Sequence, residues 1–385
     1  MDVIVLGASA RAAAFSAHRA GLRPWCVDLF ADADLSRRFP TRKVPFEDYP
    51  HGLLRALRDA PQGPVIYTGG LENYPALIAQ IDRPLWGNPP SVLRRVRSPF
   101  LLNDVLRRHG LPTLLVRADP PSAGDPRRWL LKPLRGSGGV GIRHYIGRTF
   151  FDPRSHYVQE HCPGPCLGAA YFAPPGGADP ILLGVASMYR SGWLHAPPFC
   201  YAGSVLAQFP TGSSLSRVAK VVADEFGLRG LFGVDVVRRT DPSSGKQDFP
   251  VLEVNPRYTA SMELIERARG WPLLAMQQVA FDEKTATAQP VANSAASCGP
   301  LPATVCMGKA ILYARDRFVF PAAGPWCAAL DVDPDDAEFA DIPHAGESIA
   351  RGRPVMTVFA SAACESECSR KLREAVQALD RCLWG

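Results

Sequence analysis

Residues 248–266 read DFPVLEVNPRYTASMELIE. The apolar run Phe249 to Val254 carries one carboxylate, Glu253, and Asn255 follows two residues on. On a strand, residues i and i+2 point to the same face. Glu253 and Asn255 therefore aim two oxygen-bearing side chains at one point, and Pro256 ends the strand. A carboxylate and an amide oxygen suit Mg²⁺, a hard cation that shares its oxygen ligands with phosphates, and Mn²⁺ accepts the same donors. Upstream, 230-GLFGVDVVRR-239 reads as another strand whose lone acid is Asp235. A buried strand tolerates an acid poorly unless it is paired or on a metal. The competing reading makes Glu253 a strand-end acid paired with a nearby arginine.

The rest of the chain weighs on that choice. The segment 129-WLLKPLRGSGGVGIRHY-145 reads as strand, glycine-rich loop, strand, with Lys132 inside the first strand. Gly136, Gly138, Gly139 and Gly141 put four glycines in six residues, which lets backbone N–H groups crowd a phosphate. Lys132 adds a point charge for the same phosphates. The pattern GxxxxGK[ST] is absent, so the loop reads as a flap between antiparallel strands. In 157-YVQEHCPG-164, a strand leads into a Pro-Gly turn, and Gln159 and Glu160 face opposite sides of it. Its backbone is a candidate partner for an adenine edge.

Composition sets the outer bounds. With 385 residues the chain is long enough for two or three domains. It is 46% hydrophobic and 21% charged, as a globular protein is, and its net charge of +6 is scattered rather than blocked. This argues against nucleic acid as a partner and fits small anionic substrates. The start MDVIVLGASA lacks signal-peptide features, and no stretch reaches the length of a membrane span. Ten cysteines are spaced irregularly, which fits free thiols in a cytoplasmic protein.

The opening is a βαβ pattern: strand 2–7, helix Ala10 to Ala20, strand 24–28. Its first turn, GASARAA, has one glycine and so supports the fold better than dinucleotide binding. A third strand, 64-PVIYTGG-70, ends in a turn followed by Glu72 and Asn73. These two either cap the next helix or reach a ligand at the sheet's carboxyl edge, capping being the simpler reading. Ser91 to Gly110 reads as helix, Ser214 to Phe226 as an amphipathic helix, and 283–303 as an Ala/Ser/Pro-rich linker. Short strands and a closing helix, Ser366 to Leu379, follow.

A lysine before a glycine flap, a QE strand before PG, a strand-borne Asp and then LEVNPRYTAS resemble the ATP-grasp superfamily, over about residues 1–275. The flap KPLRGSGG and the tail 340-ADIPHAGESIARGRPVMTVFA-360 resemble the branch called predicted ATP-dependent carboligases. The resemblance implies an α/β plus α+β architecture. A Rossmann-like domain (1–90) would precede a two-subdomain ATP-grasp unit (91–285, flap about 112–165) and a small β-rich C-terminal domain (300–385). It implies that ATP is held by Lys132, Arg135, Gly136, Ser137, Gly138, Gly139, Gly141, Gln159 and Glu160, and Mg²⁺ by Asp235, Glu253 and Asn255. Arg257 would meet phosphate or the acyl intermediate. Many relatives carry Asp-Lys where this chain has Ser98-Pro99, so Arg95 or Arg97 is the candidate replacement. Cys166 stands where relatives place a ribose-binding acid.

The activity so implied is amide formation from a carboxylate and an amine through an acylphosphate, with Arg257 and Lys132 in catalysis. The carboxylate would lie between the first-domain loops (Ser9, Glu72, Asn73) and the turn Arg257, Tyr258, Ser261. Some members of the branch accompany genes of tetrahydromethanopterin- and methanofuran-linked one-carbon metabolism, which suggests glutamate or another amino acid as substrate. An ATP-dependent carboxylase using bicarbonate and a non-catalytic nucleotide-binding protein are the alternatives, and a homodimer is the expected assembly.

Overall fold

The computed structural model describes residues 1–282 and 305–385, except 123, 148, 190, 209–213 and 242. The linker expected at 283–303 lies outside the described residues.

At the N-terminus, β1 (Asp2–Leu6), β2 (Arg23–Asp28), β3 (Thr41–Lys43) and β4 (Val65–Tyr67) form a parallel sheet in the order β3-β2-β1-β4. The unbroken apolar run Val3 to Leu6 is buried, as a strand covered on both faces requires. The helix Arg11–Arg19 links β1 to β2, and Asp28 at the end of β2 accepts the Ala10 N–H at 2.5 Å. Because β1 and β4 are neighbours, the loops leaving their carboxyl ends meet. Thr68 Oγ1 donates to Ser9 O at 2.8 Å. This is the edge at which parallel sheets bind ligands.

The helix expected over Ser91–Gly110 is two helices, Pro90–Val96 and Pro99–Arg108. The break follows from the sequence. Pro99 disfavours helical backbone at Ser98, which instead becomes an N-cap, and its Oγ accepts from Leu101 N at 3.3 Å. Arg97 is thereby left at the end of the first helix.

A four-stranded antiparallel sheet carries the flap: β5 (Val116–Arg117), β6 (Trp129–Pro133), β7 (Arg143–Tyr145) and β8 (His156–Glu160), in the order β5-β8-β6-β7. Its small core is Trp129, Leu131 and Val158. The glycine-rich loop connects β6 to β7.

The third sheet is built from β9 (Cys166–Ala173), β10 (Ile181–Met188), β11 (Gly203–Ala207), β12 (Gly230–Val237), β15 (Val251–Asn255), β16 (Cys306–Tyr313), β18 (Phe339–Ala340) and β20 (Pro354–Ala362). All pairs are antiparallel, in the order β15-β12-β9-β10-β11-β16-β20-β18. The hairpin β13 (Arg239–Thr240) with β14 (Gln247–Asp248) and the pair β17 (Phe318–Val319) with β19 (Ser348–Ile349) stand apart. The C-terminal region, expected as a small domain of its own over 300–385, gives three strands to this same eight-stranded sheet. The strand β11 starts at Gly203, and just before it the Tyr201 N–H goes to Gly138 O of the flap at 2.9 Å.

Alternation along β9 explains the layering. Leu167, Ala169 and Tyr171 face the helices Pro99–Arg108 and Ser214–Phe226, the latter with the bounds its periodicity suggests. Ala170 and Phe172 face the helices Met262–Arg269 and Leu273–Phe281 and, beyond them, the first-domain helix. Buried ion pairs tie these layers: Arg11 to Glu263 (2.6 Å) and Asp341 (2.6 Å), and Lys309 to Glu263 (2.8 Å). Together they hold the first domain against the large sheet, and the loop after β4 reaches Arg257, just past the end of β15.

Candidate active site

Asp235 and Glu253 are directly opposed residues of β12 and β15, and Gly233 opposes Asn255. Strand register therefore places both acids on one face, and the period of two adds Asn255. Asn255 Nδ2 lies 3.0 Å from Asp235 Oδ2 and 3.5 Å from Glu253 Oε1. Its Oδ1 accepts from Arg257 Nη2 at 3.3 Å. The amide nitrogen, not the oxygen, faces the acids here, and a half-turn about the last side-chain bond exchanges the two.

Three cations ring the acids. Arg97 reaches Glu253 Oε2 (3.4 Å), Val254 O (2.9 Å), Gly136 O (3.1 Å) and Asn73 Oδ1 (3.1 Å). Arg95 turns away to Glu225 O, so of these two arginines Arg97 is the one at the site. Lys132 is buried, donates to Gln159 Oε1 at 3.0 Å and lies 5.7 Å from the centre of the Tyr157 ring. Arg257 donates through Nε to Glu72 Oε1 at 2.8 Å. Burial, reinforced by the charge of Glu253, pushes the pKa of Asp235 up to about 8. At Glu253 burial acts in the same direction, but the charges of Arg97 and Lys132 outweigh it and hold that carboxyl below its ordinary value. Burial would lower Lys132, yet Tyr157 and Glu253 keep it raised.

The flap lies over this face. The carbonyl of Gly136 accepts from Asn73 Nδ2 (2.9 Å) as well as from Arg97. Gly139 has φ +79°, and a Cβ there would stand 1.9 Å from Phe199 O, so only glycine lets the flap dock on the 197–201 loop. Arg135 is exposed, its guanidinium 5.7 Å from the Tyr74 ring centre, while Ser137 is half-buried and Gly138 and Gly141 take positive φ.

The other expected residues separate. Gln159 is buried and faces Lys132, whereas Glu160 is half-buried on the opposite side and accepts from Leu115 N at 3.2 Å. The N–H groups of Glu160 and His161 are taken by Leu115 O and Arg128 O, which removes them as adenine donors. Neither Glu72 nor Asn73 caps a helix: the first holds Arg257, the second Arg97 and the flap. Ser9 is exposed at the sheet edge. Tyr258 turns from the site into the core and donates to Glu266 Oε2 at 2.6 Å. Ser261 is buried, its Oγ 3.2 Å from Thr259 Oγ1. Cys166 begins β9 opposite Val237.

Two residues that sequence reading passes over fix the Asn255–Arg257 turn. Fully buried Asn88 accepts from Arg229 N (3.0 Å), and its Nδ2 lies 3.4 Å from Pro256 O; Tyr67 donates to the same carbonyl at 3.3 Å. Their contacts span 168 and 189 residues, so no local signal reports them.

Two carboxylates, with an amide oxygen one bond rotation away, form a hard-oxygen donor set suited to Mg²⁺. A divalent cation bound here would compete with the proton that the raised pKa of Asp235 favours.

Similar folds occur in solved structures. The L-amino acid ligase of Bacillus licheniformis superposes with TM-score 0.66 at 14% identity, over 97% of this chain and 96% of that one. The biotin carboxylase of Campylobacter jejuni gives 0.67 at 15%, over 96% and 89%. The N5-carboxyaminoimidazole ribonucleotide synthetase of Thermotoga maritima gives 0.60 at 12%, over 97% of both. No curated protein matches the sequence. Residues 100–261 match the family described as ATP-grasp domain, which spans the flap, Asp235, Glu253, Asn255 and Arg257. Residues 100–261 are thus similar to the ATP-grasp domain, and the chain shares the fold of these solved structures.

Proposed function

We propose that the chain is an ATP- and Mg²⁺-dependent carboxylate–amine ligase. The observation that carries this reading is the facing pair Asp235–Glu253, ringed by Arg97, Lys132 and Arg257 beneath a glycine flap. Asp235 and Glu253, with Asn255 turned, would hold Mg²⁺ (or Mn²⁺), whose chemistry is to neutralise phosphate charge. Lys132 and the flap N–H groups bind ATP phosphates, and Arg97 supplies the further cation that Ser98-Pro99 leaves out of the pattern. Arg257 stands between the acids and the first-domain loops, where its planar fork can bind a carboxylate.

The reaction balances in two displacements. A carboxylate oxygen attacks the γ-phosphorus and ADP leaves, giving an acyl phosphate. The uncharged amine then attacks the acyl carbon, the C–O bond to phosphate breaks, and nitrogen loses a proton as the amide forms. The chain's residues position and neutralise charge, which is most of what phosphoryl transfer asks of a protein. A role in tetrahydromethanopterin- or methanofuran-type cofactor synthesis rests on the resemblance to the carboligase branch.

The test is phosphate release over a panel of carboxylates and amines, with hydroxylamine as a general amine that converts acyl phosphate to hydroxamate. Carboxylate-dependent hydroxamate, lost in Glu253→Ala, is the expected result. ATP binding without carboxylate-dependent turnover would refute the ligase reading, and release dependent on bicarbonate alone would replace it with a carboxylase.

A further inference from the structure

Glu72 is fully buried, with a side-chain exposure of 0%. Its Oε1 is engaged by Arg257, but Oε2 has no hydrogen-bond partner among the described residues. A buried carboxylate oxygen without a donor bears its whole desolvation penalty, so it needs a reason. The oxygen belongs to a residue in the loop after β4, at the ligand edge of the parallel sheet. Around that loop stand Tyr49 and Tyr74, their rings edge to face at 5.9 Å. Tyr49 Oη packs so closely on Gly70 that a Cβ there would lie 2.3 Å away. Arg135 of the flap lies 5.7 Å from the Tyr74 ring, so Tyr74 already faces a cation.

Arg257 spans the distance to the acids. Its Nη2 touches Asn255 Oδ1 at 3.3 Å and its Nε touches Glu72. A carboxylate held by Arg257 would therefore lie between Asn255, which adjoins the acids, and Glu72. We propose that Glu72 Oε2, flanked by Tyr49 and Tyr74, binds a cationic amino group on the carboxylate substrate, so that the molecule activated is an amino acid. This rests on the ligase reading and names its substrate class.

The experiment compares amino acids with their desamino counterparts, glutamate with glutarate and alanine with propionate, using hydroxylamine as amine and hydroxamate as readout on the full chain. The expected kcat/KM ratio favours the amino acid by about 100-fold or more, because a site built around a donor rejects the analogue that lacks it. In Glu72→Gln, which keeps an oxygen acceptor for Arg257 but removes the charge, the ratio should fall to within about tenfold. Equal use of both members of a pair by the wild type, or an undiminished ratio in Glu72→Gln, would overturn the proposal and leave Glu72 as a support for Arg257. Should Glu72→Gln fail to fold, the wild-type ratio decides by itself. If no carboxylate yields hydroxamate, the ligase reading fails; calorimetric binding of the same pairs then tests the amino site separately, and equal affinities overturn it.

Discussion

Metal binding should expel a proton from Asp235. Asp235 and Glu253 sit opposite each other on paired strands, and burial plus the neighbouring charge moves Asp235 from 3.8 to about 8. At pH 7 a group with that pKa is about nine-tenths protonated. A carboxylate must be ionised to hold Mg²⁺, so uptake at pH 7 should release about 0.9 proton from the protein, falling to about 0.5 at pH 8. Below pH 7 the Mg²⁺ affinity should rise close to tenfold per pH unit, about 1.4 kcal/mol, and level off above pH 8. In the metal-free protein the same shift acts on stability. The native state keeps a proton that the unfolded chain loses near pH 4, so this contribution falls as pH rises from about 4 to about 8. Titration calorimetry of Mg²⁺ into protein with ADP, run in buffers of different ionisation enthalpy, counts the protons. Asp235→Asn is the control, because it cannot release one and leaves the nucleotide's own proton linkage unchanged. Equal proton counts in the two proteins would refute the reasoning.

Truncating Arg97 to Met removes a charged donor from the carbonyls of Gly136 and Val254 and from Asn73 Oδ1. A loss of about 3 kcal/mol in urea unfolding is expected, with faster proteolysis of the flap. Gly139→Ala should lower ATP affinity about tenfold, because its Cβ would stand 1.9 Å from Phe199 O and keep the flap from docking on the 197–201 loop; fluorescent-nucleotide titration measures it. Ser98→Ala removes the N-cap of the helix Pro99–Arg108 and should cost about 1 kcal/mol in denaturant unfolding without altering ATP affinity.

Much of the candidate site was legible in the chain because its geometry is local. The i, i+2 spacing of Glu253 and Asn255 sets them on one face of any strand, and glycines between Lys132 and Arg143 make a flap of any hairpin. The Ser98-Pro99 dipeptide forecasts its own helix break, although the apolar periodicity around it hides the signal. Contacts made across the fold were not legible. Tyr258 reads like a substrate residue beside Arg257, but the packing of the helix Met262–Arg269 turns it to Glu266. Glu72 reads as a cap because capping is decided within four residues, whereas its partner Arg257 is 185 residues away.

The sequence by itself determined the pieces that need only backbone periodicity and local sterics: the parallel opening unit, the glycine flap, and acids presented from two strands. Tertiary structure decided everything that depends on which pieces meet. The pairing of β12 with β15 puts Asp235 opposite Glu253, and the first domain's docking brings Glu72 and Asn73 to Arg257 and Arg97. It also makes the C-terminal strands part of the central sheet. Charge pairing and hydrogen bonding act over a few ångströms whatever the separation along the chain, and only the folded state supplies that distance.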